Sequence, residues 1–277
     1  MSPMRRFLTL LFLLCLAPAL SATPPPAPPK VEASGYLLMD YHSGAVLAES
    51  NGEKRLEPAS LTKIMTAYVV FRELEEGNIS LQDQVLVSKK AWKTPGSRMF
   101  IEVGKKVSVD DLIRGMIVVS GNDACVALAE HIAGSEESFV SLMNEQALRL
   151  GMTNTHFVNS TGLPDPDHYT TPGDILKVTR ALIREFPQYY SIYSQREFTF
   201  NKITQKNRNR LLWRDPSVDG VKTGHTKSAG YCLVASAKRE GMRLLSVVMG
   251  TKSEEARAEE SQKLLNYGFR FYQTHRL

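Results

Sequence analysis

The most informative part of this chain is a helix opening at residues 58–66, which have the sequence Pro-Ala-Ser-Leu-Thr-Lys-Ile-Met-Thr. The first three of these residues predict the start of a helix that continues to about Glu76, with Gly77 just beyond its end. The helix is apolar around nearly its whole circumference, and helices of this kind are buried in the middle of a protein. We therefore expect a domain packed around this helix.

Strand patterns lie at both ends of the chain, and helical patterns lie between them. Residues 35–40 and 45–48 predict one hairpin, and residues 230–237 and 242–250 predict another. Further helices are predicted at residues 109–119, 124–132 and 138–150, from Pro172 to near Glu185, and after the capping residue Ser253. Residues 152–173 predict a long loop, and such loops are usually functional or disordered. A sheet built from both ends of the chain against a helical middle is an α+β architecture.

Length and composition fit one large globular domain or two small ones. The chain has 277 residues, 43% hydrophobic and 23% charged, which excludes a disordered or collagen-like protein. The formal net charge is +5, and the sequence has no Lys/Arg tract typical of nucleic-acid binding. We therefore expect no nucleic-acid partner, and the mildly basic balance fits an anionic cell-wall polymer only weakly.

The first 33 residues have the order of an export signal followed by a spacer. Arg5 and Arg6 precede an apolar run at residues 7–16, and small residues suitable for cleavage follow it. We predict a signal peptide at residues 1–22, a Pro-rich linker without a packed core at residues 23–33, and a folded domain at residues 34–277. The apolar run is too short to span ~30 Å of hydrocarbon comfortably, which favours cleavage over an uncleaved anchor.

The first motif with chemical potential is the pair formed by Ser60 and Lys63. Residues three apart lie on the same face of a helix, ~4.5 Å apart along its axis. Burial disfavours the charged form of a lysine, and a neutral amine can take the proton of a serine hydroxyl. The pair predicts a serine nucleophile with a lysine base, although the same spacing also occurs in ordinary helices.

Two further motifs are informative only in combination with the first. Ser-Gly-Asn at residues 120–122 lies between two predicted helices, where an ordinary turn is the better explanation of the motif taken alone. Lys-Thr-Gly at residues 222–224 comes just before the predicted C-terminal hairpin, where a surface lysine at a strand end is the ordinary interpretation. The order and spacing of the three motifs, in a chain with an export signal, favour a shared function.

With these motifs the chain resembles the penicillin-recognising serine acyl enzymes. Longer stretches at residues 58–66, 120–129, 219–226 and 264–271 are similar to those of the serine D-alanyl-D-alanine carboxypeptidases, the low-molecular-mass penicillin-binding proteins. The resemblance covers residues 34–271 and makes the folded domain a penicillin-binding D,D-peptidase catalytic domain. It implies an α+β fold of the β-lactamase/transpeptidase type, in which an antiparallel sheet flanked by helices joins a mainly helical subdomain.

The resemblance also implies catalytic roles for the motif residues. Ser60 would be the nucleophile and Lys63 its base. Ser120 would relay the proton to the leaving amine, and Asn122 would bind the peptide carbonyl of the substrate. Lys222 would hold Ser120 electrostatically.

Other residues are implied to bind the substrate. Thr223 and Gly224 would line the strand beside it, and the backbone N–H groups of His225 and of the nucleophile would form the oxyanion hole. Arg208, with Arg257 as a second candidate, would bind the terminal carboxylate, because arginine has the best shape for that group.

The implied activity is that of a serine D,D-carboxypeptidase, which removes the terminal D-Ala from peptidoglycan stem pentapeptides through an acyl-enzyme. β-Lactam antibiotics would be inhibitors, and neither a metal nor a cofactor is expected. The enzyme would be exported to the periplasm or cell envelope and be soluble after signal cleavage. Many members of the family continue into a second domain and a membrane helix, whereas this chain stops at Leu277, so no membrane anchor is expected in the mature chain.

Several alternatives stay open. An endopeptidase of peptidoglycan cross-links would also hydrolyse a D-Ala bond. A β-lactamase would share the three motifs, but the stretches that begin at Glu145 and Glu197 fit its Glu-x-x-Leu-Asn pattern poorly. A zinc peptidase is disfavoured because the histidines form no paired metal motif, and a non-catalytic wall-binding module is disfavoured by the intact serine–lysine pair. Cys125 and Cys232 are interpreted as small buried residues rather than a disulfide.

Overall fold

The computed structural model describes residues 25–275, and its central feature is a five-stranded antiparallel sheet. In chain order the strands are β1 (Gly35–Asp40), β2 (Val46–Ser50), β3 (Gln84–Leu86), β4 (Lys106–Ser108), β5 (Glu197–Phe200), β6 (Ile203–Lys206), β7 (Val218–Thr226), β8 (Gly230–Arg239) and β9 (Met242–Thr251). The sheet has the order β2-β1-β9-β8-β7, while β3–β4 and β5–β6 are separate pairs. Both predicted hairpins are confirmed, and pairing of β1 with β9 joins them into one sheet.

The helices of the described residues lie mostly between β2 and β7 in the sequence. They are α1 (Thr62–Glu75), α2 (Lys89–Lys93), α3 (Val109–Val118), α4 (Asn122–Ala133), α5 (Glu136–Arg149), α6 (Pro172–Glu185), α7 (Pro187–Tyr190), α8 (Leu211–Arg214) and α9 (Glu254–Phe271), with 3₁₀ turns at Ala59–Leu61 and Ser191–Ser194. Side-chain oxygens of Ser108, Ser135, Thr171 and Ser253 cap α3, α5, α6 and α9 by accepting a backbone N–H of the first turn.

The helix α1 lies at the centre of the larger apolar core, as its all-round apolar pattern predicts. All of its residues from Thr62 to Phe71 are buried, and it contacts α3, α4, α5 and α6. The helix α9 covers the opposite face of the sheet over a second core that includes Leu244 and Leu264. The sheet is therefore flanked by helices on both faces and joined to a helical part, which confirms the α+β fold.

The position of the Lys-Thr-Gly motif differs from the sequence prediction. The motif lies inside β7 rather than before a strand, and Lys222 is buried there with 3% of its surface exposed. The local pattern missed this strand because polar residues and glycines at buried positions hide the apolar signal. The family resemblance implies a strand at Thr223 and Gly224, and β7 contains both. Asn122 also differs, because it begins α4 instead of lying in the preceding turn.

The start of the described chain contacts the folded domain. Val31 packs in the core beneath α9, and the Tyr267 hydroxyl donates a hydrogen bond to the Pro26 carbonyl oxygen at 2.8 Å. The last part of the predicted linker is thus packed, contrary to the expectation of a spacer without a core. The predicted signal peptide lies outside the described residues, and the domain boundaries stay predictions. Between residues 25 and 275, every helix is too short or too polar to cross a membrane.

Candidate active site

A cleft of about 370 Å³ lies where β7 meets the helical part of the molecule. Segments remote in sequence form its walls, among them the turn before α1, the turn before α4, and β7. Eight of the ten residues singled out from the sequence line it: Ser60, Ser120, Asn122, Arg208, Thr223, Gly224, His225 and Arg257. The other two, Lys63 and Lys222, lie beneath it and contact the two serines.

Lys63 is the buried partner of Ser60. Its side chain is 1% exposed, and its Nζ lies 3.0 Å from Ser60 Oγ. Its other two partners are Asn122 Oδ1 and the Thr161 carbonyl oxygen, each at 2.7 Å. Burial lowers the pKa of Lys63, and the positive charge of Arg208 acts in the same direction.

The partners of Lys63 determine what a neutral amine would do at this position. The Asn122 and Thr161 oxygens can only accept hydrogen bonds, so they take both N–H groups of a neutral amine. The remaining lone pair then faces the Ser60 hydroxyl. The arrangement can therefore remove the serine proton, which is the step that activates a serine nucleophile.

A loop that the sequence analysis did not single out fixes the orientation of Asn122. The Asn122 side-chain nitrogen donates to the Pro95 carbonyl oxygen, and its backbone N–H donates to the Ser97 carbonyl oxygen, both at 2.7 Å. Gly96 has φ +91, and a Cβ there would lie 2.6 Å from the Asn122 amide nitrogen. The loop thus needs glycine at this position and leaves the Asn122 oxygen directed at Lys63.

Ser120 and Lys222 form a second serine–lysine pair. Ser120 has φ +64 in the turn before α4, and its Oγ lies 3.0 Å from Lys222 Nζ. Lys222 also donates to the Thr223 carbonyl oxygen at 2.9 Å. Burial lowers the pKa of Lys222 well below its ordinary range, and the charges of Lys63, Arg208 and Arg257 lower it further. The pair can hold or pass a proton within the cleft.

The strand β7 approaches the Ser60 backbone closely. A Cβ on Gly224 would lie 3.1 Å from the Pro58 carbonyl oxygen and 3.2 Å from the Ser60 nitrogen, so the missing side chain permits the contact. β7 is also an edge strand, and edge strands present unpaired backbone groups. Beside it the His225 ring stacks on Tyr231 with centroids 3.9 Å apart.

Two arginines give the cleft a positive end. Arg257 is 3% exposed, and its Nη1 donates to the Gly224 carbonyl oxygen at 3.3 Å. Its Nη2 is buried without a hydrogen-bond partner, and the Glu254 carboxylate lies 3.9 Å from it as an ion pair. Burial lowers the pKa of Arg257. Arg208 is exposed at the cleft and forms no hydrogen bond or ion pair with another described residue. A guanidinium group with an unused buried nitrogen is suited to binding an anion.

The loop predicted at residues 152–173 supplies part of the cleft. The side-chain oxygen of Asn159 accepts the backbone N–H groups of Thr161, Gly162 and Leu163, and these three residues line the cleft. The length of the loop was the sequence signal for a functional segment. No sequence signal indicated that the Thr161 carbonyl would contact Lys63.

Cys125 and Cys232 are free and buried, as interpreted from the sequence. Among residues 25–275, no group of three or more His, Cys, Asp and Glu side chains could hold a metal ion.

Comparison with known proteins identifies the family. Residues 21–253 match the family described as D-alanyl-D-alanine carboxypeptidase. The chain belongs to this family. D-alanyl-D-alanine carboxypeptidase DacC of Escherichia coli is 52% identical, and the alignment covers 95% of this chain and 68% of DacC. D-alanyl-D-alanine carboxypeptidase DacA of Haemophilus influenzae is 50% identical, and the alignment covers 89% of this chain and 64% of DacA. The chain thus spans about two thirds of the length of these carboxypeptidases.

Solved structures support the same assignment. Penicillin binding protein 5 from Haemophilus influenzae superposes with a TM-score of 0.87 at 50% identity, covering 88% of this chain and 72% of that one. A Streptomyces DD-transpeptidase superposes with a TM-score of 0.82 at 31% identity, and the match covers 88% of this chain and 99% of the transpeptidase. These comparisons confirm the predicted fold and the resemblance to the serine carboxypeptidases, and they do not favour a β-lactamase or an endopeptidase.

Proposed function

We propose that this chain is a serine D,D-carboxypeptidase that removes the terminal D-Ala from peptidoglycan stem pentapeptides through an acyl-enzyme on Ser60. The observation that carries the proposal is the buried Lys63 amine, 3.0 Å from Ser60 Oγ, with two carbonyl oxygens as its other partners. Membership of the carboxypeptidase family supports the substrate class. β-Lactams imitate the D-Ala-D-Ala bond and would acylate the same serine.

Acylation begins with transfer of the Ser60 proton to Lys63. The Ser60 oxygen then forms a bond to the carbonyl carbon of the penultimate D-Ala, and negative charge develops on the carbonyl oxygen. The Ser60 and His225 N–H groups would donate to this oxygen from the helix start and from β7. The close contact between Gly224 and the Ser60 nitrogen supports this placement.

Collapse of the tetrahedral intermediate breaks the C–N bond, and the leaving amine must gain a proton. Ser120 would relay to the amine the proton that Lys63 took from Ser60, because its hydroxyl lies in the cleft and its oxygen contacts Lys222 at 3.0 Å. Asn122 also lines the cleft and would bind the peptide carbonyl of the stem. The oxygen of a water molecule then bonds to the acyl carbon, the bond from that carbon to Ser60 Oγ breaks, and Ser60 takes up a proton from the water.

The two arginines would select a free carboxylate at the end of the substrate. Arg257 provides the stronger structural support, because its Nη2 is buried without a hydrogen-bond partner and only the Glu254 carboxylate, at 3.9 Å, is paired with it. Arg208 would contribute a second, solvent-exposed charge, and Thr223 lines the same cleft. A carboxypeptidase needs this recognition, whereas an endopeptidase substrate has no free carboxylate at the scissile residue.

The N-terminal signal pattern supports export of the enzyme to the periplasm or cell envelope. Peptidoglycan lies in that compartment, so the proposed substrate and the proposed location agree. The predicted cleavage after residue 22 can be checked by N-terminal sequencing of the exported protein.

The nucleophile is tested by the intact mass of the protein after brief exposure to penicillin. Wild type should gain the mass of one penicillin, and Ser60→Ala should gain none while keeping its melting temperature. Ser141→Ala, on the exposed side of α5, is the matched control and should be labelled like wild type. Full labelling of a folded Ser60→Ala protein would refute the assignment.

Carboxylate recognition is tested with a D-Ala-D-Ala peptide and its C-terminal amide. Removing a charge-assisted contact costs ~1.5–3 kcal/mol, so Arg257→Ala should lose roughly 10–150-fold in kcat/KM on the acid. The loss on the amide should be much smaller, and Arg208→Ala should show the same selectivity. Equal losses on acid and amide for both variants would favour the endopeptidase alternative.

A further inference from the structure

The peptide unit that contains the Ser60 N–H is held at its carbonyl end by the helix that follows it. Ala59 is a non-glycine residue with φ +47, a left-handed conformation that costs ~1–2 kcal/mol. Its carbonyl oxygen accepts a hydrogen bond from Thr62 Oγ1 at 2.9 Å and another from the Thr62 backbone N–H. The first turn of α1 therefore fixes the direction of this carbonyl.

His168 determines which way the Thr62 hydroxyl points. The Val158 N–H donates to His168 Nδ1 at 3.1 Å, so the neutral ring carries its hydrogen on Nε2. His168 Nε2 lies 2.8 Å from Thr62 Oγ1 and donates to it. With that contact made, the hydroxyl hydrogen of Thr62 is left for the Ala59 carbonyl oxygen.

The surrounding packing supports a single arrangement of these groups. Thr62 and His168 are 0% and 2% exposed. Gly162 lies against the same carbonyl, because a Cβ on it would be 1.8 Å from the Ala59 oxygen and 2.9 Å from Thr62 Oγ1. On that side, the close contact leaves no room for a water molecule to replace the hydroxyl.

The planarity of the peptide bond carries this constraint to the cleft. In a trans peptide the carbonyl oxygen and the following N–H point in opposite directions. When the Ala59 carbonyl is directed at Thr62, the Ser60 N–H points the other way. Gly224 of β7 lies close to that nitrogen, since a Cβ on it would be 3.2 Å away.

We propose that Thr62 and His168 are positioning residues, which aim the Ser60 N–H at the developing oxyanion. The inference rests on the proposed function, because it takes this N–H as an oxyanion donor. Both side chains act through the Ala59–Ser60 peptide and lie behind the nucleophile. Neither residue belongs to the three sequence motifs.

The matched variants Thr62→Val and Thr62→Ser test the hydroxyl. Valine keeps the shape of threonine without the O–H, and serine keeps the O–H. Deleting an oxyanion-hole donor costs ~10²–10³-fold, so misdirecting one should slow penicillin acylation by ~10-fold or more in Thr62→Val. Thr62→Ser should retain a rate within ~3-fold of wild type, because it keeps the donor.

An infrared spectrum of the acyl-enzyme separates positioning from a merely structural role. The ester carbonyl of a ¹³C-labelled penicilloyl-enzyme absorbs at lower frequency when the oxyanion hole donates strongly to it. The band should move to higher frequency in Thr62→Val and stay in place in Thr62→Ser. A folded Thr62→Val protein with the wild-type rate, or with an unmoved band, would overturn the proposal.

The histidine provides an independent pair of variants. His168→Gln retains an N–H donor near Nε2, and His168→Leu does not. His168→Leu should reproduce the slow acylation and the shifted band, and His168→Gln should be intermediate. If Thr62→Val fails to fold, this pair decides the question, and equal rates and bands for both variants would overturn the inference. Absence of penicillin labelling in wild type would instead remove the proposed function.

Discussion

Acidification should destabilise the folded protein through one buried imidazole, His168. The pKa of His168 is lowered from 6.5 to about 4, chiefly by burial; the nearby Asp165 opposes this shift, and the charges of His156 and Lys63 contribute to it. A protonated ring would place a hydrogen on Nδ1, which faces the Val158 N–H. The folded state therefore disfavours the proton that the unfolded chain readily binds.

The sign and size of the effect follow from these two pKa values. Between pH 6.5 and about 4 the unfolded state binds the proton and the folded state does not, so stability falls as the pH falls. The stability that neutral His168 contributes is fully present above the pKa of the unfolded chain, 6.5, and is lost below the pKa of the folded protein, about 4. At about pH 5 the loss amounts to ~2 kcal/mol relative to neutral pH, or a decrease of ~4–8 °C in melting temperature for a domain of this size.

Urea unfolding at several pH values from neutral to about 5 measures this loss in wild type and His168→Gln. Glutamine does not titrate, so the difference in unfolding free energy between the two proteins isolates the histidine from all other groups. As the pH falls across this range, the unfolding free energy of wild type should decrease by ~2 kcal/mol relative to that of His168→Gln. Parallel pH curves for the two proteins would refute the reasoning.

Two other variants test the site. Lys63→Arg keeps the charge but cannot act as a base, so the rate of acylation by penicillin should fall by at least ~10²-fold in stopped-flow or mass measurements. Near-normal acylation would show that another group removes the serine proton. Gly162→Ala should lower the unfolding free energy by ~2–5 kcal/mol in urea unfolding. The alanine would have to adopt a left-handed conformation, and its Cβ would lie 1.8 Å from the Ala59 carbonyl oxygen, so two costs add. Gly104→Ala is the control, because Gly104 has φ +76 but a Cβ on it would have no neighbouring atom within 4 Å. This variant should lose only ~1–2 kcal/mol of unfolding free energy. Equal losses of unfolding free energy in the two variants would contradict the packing argument.

The sequence by itself determined the longer elements and the motifs of this protein, but not the short strands and helices or β7. The apolar helix α1, the two terminal hairpins and the capped helix α9 were predicted from local patterns, because apolar periodicity and capping residues act over a few neighbouring positions. Ser60 and Lys63 were paired in the same way, since a helix brings residues three apart onto one face. The other motif residues came from resemblance to a family, not from local physics.

The tertiary structure alone decided which groups surround the nucleophile. The Thr161 carbonyl contacts Lys63 across 98 positions, and Lys222 contacts Ser120 across 102. His168 contacts Thr62 across 106 positions. Such contacts depend on how the loop after α5 and the strand β7 pack against α1, and no local pattern specifies that packing. Burial, which sets the proton affinity of these lysines and of the histidine, is likewise a property of the assembled core and not of any single segment.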